Sequence, residues 1–132
     1  MESEFLIDTN VAIDYLAGKL PAKGLDFIDK VIEGIPAVSV INKIELLGHN
    51  HPSLHQCKLF VGICNILELT EDVVNTTIAI RKSRKIKTPD AMVAATALVY
   101  DLILITHNVS DFEGIAKLSV IDPYHLKDID RI

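Results

Sequence analysis

Short apolar runs alternate along the chain with longer stretches whose apolar residues recur every three or four positions, and this predicts strands and helices in turn. Phe5-Leu6-Ile7 is the first run of strand length, and it ends in Asp8-Thr9-Asn10. Val11, Ile13, Tyr15 and Leu16 then mark a short helix stopped by Gly18. After Pro21 a second helix turns Leu25, Ile28, Val31 and Ile32 inward and Asp26, Asp29, Lys30 and Glu33 outward, and Gly34 ends it. Ala37-Val38-Ser39-Val40 reads as a second buried strand. It leads into a helix, Ile41 to Leu47, whose face is Ile41, Ile44 and Leu47 and which stops at Gly48. Glu45 lies about 100 degrees round from Ile44, at the edge of the buried stripe or exposed. A helix over 54 to 64, a strand Asn65 to Leu69 and a long helix capped by Thr70 follow.

The stretch from Thr88 to Phe112 closes a buried helix and strand at both ends with oxygen-bearing side chains. Thr88 reads as an N-cap and Pro89 as the first helical residue, so Asp90 falls in the first turn, where backbone amides favour a carboxylate. From Ala91 to Tyr100 the helix is apolar nearly all round. Leu102-Ile103-Leu104-Ile105 is a strand covered on both faces, and it ends abruptly in Thr106-His107-Asn108. Ser110 reads as a second N-cap with Asp111 behind it. A helical turn to Lys117 and a strand Ser119 to Ile121 complete the pattern, and the remainder from Asp122 reads as a peripheral tail.

No tight Asn-Gly or Asp-Gly hairpin signal interrupts the alternation. The expected fold is therefore α/β: a central, mostly parallel sheet with helices on both faces, a three-layer α/β/α sandwich formed by a single domain over residues 1–132. In such sheets ligands bind outside the carboxyl ends of the strands, where Asp8 and the segment Thr106 to Asn108 sit.

Composition changes this picture in three ways. The chain is 49% hydrophobic with a mean hydropathy of +0.32, which points to apolar surface covered by another chain. A net charge of -5 supplies no global attraction to nucleic acid, so any such binding needs a local patch. Cys57 and Cys64 would stand about 10.5 Å apart along one helix, too far for a disulfide. Two unpaired thiols, no basic and apolar leader, and no membrane-length apolar run make a cytoplasmic protein the expectation.

Asp8, Glu45, Asp90 and Asp111 all stand at strand ends or on helices that can share one edge. Crowded carboxylates repel, and a hard divalent ion, Mg2+ or Mn2+, neutralises them economically. Asp8, Asp90 and Asp111 would hold it directly, Glu45 would hold it or orient a water, and Thr9, Thr106 and Asn108 would supply supporting hydrogen bonds. Each acid also has a plain structural reading as a helix-start or solvated residue, except Asp8, whose charge after a buried strand is costly without a partner. The run Arg81, Lys82, Arg84, Lys85, Lys87 holds five basic residues. They complement a helix C-terminus or form a phosphate-binding patch at the lip of the acidic crevice, and both can hold at once. His49, His51 and His55 cluster without the ligand spacing of a zinc site and read as surface loop.

With these residues in place, the sequence resembles the PIN-domain family and, within it, the VapC-like toxins of toxin-antitoxin pairs. The likeness rests on Ile7-Asp8-Thr9-Asn10, Ser39 to Gly48 around Glu45, Thr88-Pro89-Asp90-Ala91 leading into Ala94 to Leu98, and Thr106-His107-Asn108 followed by Asp111-Phe112. The resemblance implies a metal-dependent ribonuclease, usually a homodimer, whose cognate antitoxin inserts a segment into the active-site groove. It implies that Asp8, Glu45, Asp90 and Asp111 are the acidic quartet and that Asn108 is the polar residue on the last active-site loop. Asn10 joins Thr9, Thr106 and Asn108 as an expected supporting residue. His107 departs from the arginine that relatives commonly carry, which puts a phosphate contact at that position in question. Three other readings compete with this one. A PIN-like module with an inert site would only bind. A phosphoacceptor domain would place a lone aspartate after the central strand, where Asn65 to Leu69 ends in Thr70 and Glu71 instead, and an aspartyl phosphatase would want an acid at Asn10.

Overall fold

In a computed structural model that describes residues 2–48 and 50–126, the strands Phe5–Ile7 (β1), Ala37–Ser39 (β2), Asn65–Leu67 (β3), Ile103–Ile105 (β4) and Val120–Ile121 (β5) form one sheet. Their order is β3-β2-β1-β4-β5, and every neighbouring pair is parallel, with Leu6 opposite both Ala37 and Leu104. The chain runs outward from β1 to β3 and then returns to the far side of β1. The junction of β1 and β4 is thus the point where the winding reverses, and a crevice opens there beyond the strand ends.

Alternate residues of each strand feed two cores, as the period of two requires. Leu6, Ala37, Leu67 and Leu104 face the helices Glu71–Ser83 (α5) and Thr88–Val99 (α6). Ile7, Val38 and Ile105 face Thr9–Leu16 (α1), Ala22–Glu33 (α2), Val40–Leu47 (α3) and Leu54–Ile63 (α4). The result is the three-layer α/β/α sandwich. Ala91, Ala94, Ala95 and Ala97 are all buried, and their small size lets α6 lie close to α5 and the sheet. Cys57 is buried on α4, Cys64 caps the same helix, and both thiols are free. Among the described residues, no helix is long and apolar enough to cross a membrane.

The structure corrects several expectations. Val40 starts α3 rather than ending β2, because the Ser39 hydroxyl accepts from the Asn42 amide while the Asn42 side chain accepts from the Ser39 N–H, a reciprocal cap that nucleates the helix one residue early. The buried line of α3 is Asn42 and Leu46, and Ile44 is 59% exposed. In α2, Phe27 turns inward and Leu25 outward. Lys87, not Thr88, occupies the N-cap of α6, so Thr88 and Pro89 lie inside the helix. Ser110 lies within a single 3-10 turn, Val109–Phe112, that starts after Asn108. The segment after β5 is no loose tail: Pro123 is buried, and a Cβ on Gly24 would come within 2.3 Å of its carbonyl oxygen. Finally, β3 stands at the sheet edge and β1 at its centre, so Asn65–Leu67 is not the central strand after which a phosphoacceptor aspartate is expected. The central strand does end in an aspartate, Asp8.

Candidate functional site

Asp8 follows β1 and caps α1, taking the Thr9 N–H on Oδ1 at 3.0 Å. The same oxygen accepts from the Asn42 amide at 3.2 Å. Oδ2 accepts from Thr106 Oγ1 at 2.8 Å and from Asn10 Nδ2 at 3.2 Å. A carboxylate has about four acceptor sites, and here each is used. Asp8 is therefore oriented from three directions: its own helix, α3 and the end of β4. Only 7% of it is exposed. Burial pushes its carboxyl above the ordinary value; the hydrogen bonds from Thr106, Thr9 and Asn42 pull it back, and the charge of Glu45 adds to the rise.

The neighbours of Asp8 form a connected net. Thr9 Oγ1 donates to Glu45 at 2.5 Å while accepting from Asn42 Nδ2 at 3.0 Å. Asn10 Nδ2 also reaches Thr106 Oγ1, and its Oδ1 accepts the His107 N–H at 3.0 Å. Thr106 is fully buried and also takes the Asn108 N–H at 3.1 Å. Asn108 thus contributes through its backbone: its side chain makes no capping bond, and its carbonyl accepts from the Asp111 N–H.

Asn42 is the member of this net that sequence reasoning passed over. Its Oδ1 takes the Ser39 N–H and hydroxyl while its Nδ2 serves Asp8 and Thr9. The available signal was a Ser39-x-x-Asn42 spacing at a helix start, which matches a reciprocal cap.

Asp90 lies in the first turn of α6, half-buried. Burial raises its carboxyl, and the charges of Asp111, Asp8 and Glu45 raise it further, in that order, against the pull of Lys87. Four acids, from the end of β1, α3, α6 and the 3-10 turn, thus share one field. Among the described residues no three carboxylate, imidazole or thiol groups close on a single point as a complete protein cage would. The arrangement is an open acidic nest, suited to an ion such as Mg2+ that takes one or two carboxylates and keeps its waters.

Two other clusters lie apart from this chemistry. His107 turns its ring away, with Nδ1 3.1 Å from Asp122 Oδ1 and the ring against Tyr124 at 4.2 Å between centroids. His49 lies outside the described residues. His51 approaches the Leu46 carbonyl and Cys57 Sγ, and His55 is exposed.

The profile of the PIN domain family matches residues 5–118, from β1 through the 3-10 turn. Among curated proteins none is significantly similar in sequence. Among solved structures, a chain of a toxin-antitoxin complex from Klebsiella pneumoniae superimposes with a TM-score of 0.73 at 30% identity, over 93% of this chain and 100% of the other. A chain of VapBC-1 from nontypeable Haemophilus influenzae gives 0.73 at 25% identity, over 92% and 98%. DNA-bound VapBC from Salmonella typhimurium gives 0.77 at 21% identity, over 92% and 99%, a likeness of fold. The family match spans the strand that carries Asp8, the helices that carry Glu45 and Asp90, and the turn that carries Asp111, and by it the chain belongs to the PIN-domain family, with its likeness there to the VapC-like members.

Proposed function

We propose that this chain is a metal-dependent endoribonuclease, the toxin of a toxin-antitoxin pair, with its activity carried by one domain over residues 1–132 in the cytoplasm. One observation carries the reading: Asp90 and Asp111 line one cleft, Thr9 links Asp8 to Glu45 by hydrogen bonds, and the charges of the other three acids add to the rise of the Asp90 carboxyl. Fold stability alone gives no reason to gather four acids, since each adds to the repulsion.

On this reading Asp8, Glu45, Asp90 and Asp111 hold Mg2+ or Mn2+, some directly and others through its waters. When bound, the ion would neutralise the nest, lower the pKa of a water and stabilise charge on a phosphodiester oxygen. Asp8 is pre-oriented by four donors, and direct ligation would require one of the two longer ones, from Asn10 or Asn42, to give way. Thr9 fixes the Glu45 carboxylate, which leaves that group positioned to orient a water. Thr106, Asn10 and the backbone of Asn108 hold the end of β4 against the start of α1.

The partners are RNA, a cognate antitoxin and a second copy of the chain. The similar chains come from toxin-antitoxin assemblies, and this chain exposes Ile44 on α3 and Leu59 and Ile63 on α4 at 59 to 61%, surface that association would cover. The test is cleavage of RNA by purified, partner-free protein with Mg2+ or Mn2+, against EDTA and against Asp8→Asn. Cleavage is expected in the first condition alone; equal activity in all three would assign it to a contaminant or another site.

A further inference from the structure

The basic run has two explanations, and the structure separates them. Helix α5 ends at Ser83 with only Arg81 and Lys82 in its last turn, so the helix dipole accounts for those two. Arg84, Lys85 and Lys87 lie beyond it in the connector to α6. There they line, with Arg81, a cleft of about 510 Å³ whose other residues include Asp90 and Asp111. Lys82 is not among the lining residues. Four cations thus face a space that two acids of the nest share.

Arg84 is built into the lining of this cleft. It donates through a terminal nitrogen to the Glu113 carbonyl, which ties the guanidinium to the segment after the 3-10 turn. Its Nε is buried and, among the described residues, is a buried side-chain donor without a hydrogen-bond partner. Such a donor costs free energy unless something fills it. Arg81 is held likewise, donating to the Thr88 hydroxyl at 2.5 Å. Guanidinium groups held in place by the fold present their remaining donors as a fork that matches phosphate oxygens.

We propose that this cleft is a binding site for the phosphate backbone of single-stranded RNA, seating a phosphate beside Arg84 and Lys85 while the strand continues onto the acidic nest. The proposal rests on the nuclease reading for the identity of the polyanion. It also explains how a chain of net charge -5 engages RNA: the attraction is local, supplied by the cations of the cleft.

The test is anisotropy of a labelled single-stranded RNA with the full chain in EDTA, over a series of salt concentrations, for wild type, Arg84→Gln, Lys85→Gln and the off-cleft control Lys82→Gln. Lys85 is exposed, so its variant stays informative even if losing the Arg84 anchor impairs folding. Each single-strand phosphate contact adds about 0.7 to the slope of log affinity on log salt, roughly fivefold in affinity at about 0.1 M salt. Arg84→Gln and Lys85→Gln are each expected to lose that slope and that factor, and Lys82→Gln to match wild type. No binding by wild type, or equal slopes in all four proteins, overturns the proposal and leaves the cleft to another occupant, such as an acidic polypeptide. The readout needs neither metal nor cleavage, so a wild type that binds but does not cut sinks the nuclease reading alone.

Discussion

The side-chain amide of Asn42 donates to Oδ1 of Asp8 at 3.2 Å across 34 residues of chain, while its carbonyl oxygen closes the cap on Ser39. One buried group therefore starts α3 and aims the carboxylate at the centre of the sheet edge. Asn42→Ala would leave the Ser39 N–H, Thr9 and Asp8 each one partner short. It should lower unfolding free energy by about 1–3 kcal/mol in a denaturant titration, and RNA cleavage should fall with it. A midpoint and an activity equal to wild type would show that Asn42 only fills space.

The raised carboxyls of Asp8 and Asp90 set a pH dependence whose sign is fixed. An acid whose folded pKa lies above its unfolded value of 3.8 binds more protons when folded. Its contribution to stability is complete below the unfolded value and is lost as pH rises through the folded one. Metal-free Asp90→Asn should thus melt at a higher temperature than wild type at neutral pH, with the gap closing on acidification towards about pH 4. Added Mg2+ should raise the wild-type melting temperature more than that of the variant. Thermal melts in EDTA across this range decide it, and a variant less stable than wild type at neutral pH would mean that Asp90 is already neutralised.

Two helical glycines make a paired prediction. Alanine in place of a helical glycine stabilises by about 0.5–1 kcal/mol where there is room. Gly62 on α4 has nothing within 4 Å of an added Cβ, so Gly62→Ala should gain that amount. At Gly24 the added Cβ would meet backbone, the Pro123 carbonyl oxygen at 2.3 Å and its carbon at 3.1 Å, and overpacking of this kind costs about 1–3 kcal/mol. Gly24→Ala should therefore destabilise. Equal gains at both sites would mean that the segment carrying Pro123 does not pack on α2.

Much of this architecture was legible because it follows from local rules. Strand-length apolar runs separated by helical periodicity specify a parallel sheet, and polar residues directly after such runs, Asp8 and Thr106, mark its carboxyl edge. Asn42 was hidden because a polar residue beside Lys43 and off the Ile41, Ile44 and Leu47 face reads as outward-facing; only the packing of α3 against α1 and α4 shows that Asn42 and Leu46 form the inner line while Ile44 is exposed. The docking of Pro123 on Gly24 joins segments 99 residues apart in number, a contact that no local pattern encodes. Position 107 illustrates the same limit: histidine there signalled the loss of an arginine, yet its pairing with Asp122 depends on where the chain returns after β5.

The central claim is that Asp8, Glu45, Asp90 and Asp111 form one nest that a divalent ion completes, and anomalous diffraction from crystals grown with millimolar Mn2+ tests it most directly. A manganese peak bounded by Asp8, Asp90 and Asp111 is predicted, with Glu45 reached directly or through a water. The absence of any peak there, with Lys87 lying across the carboxylates in its place, would contradict the account.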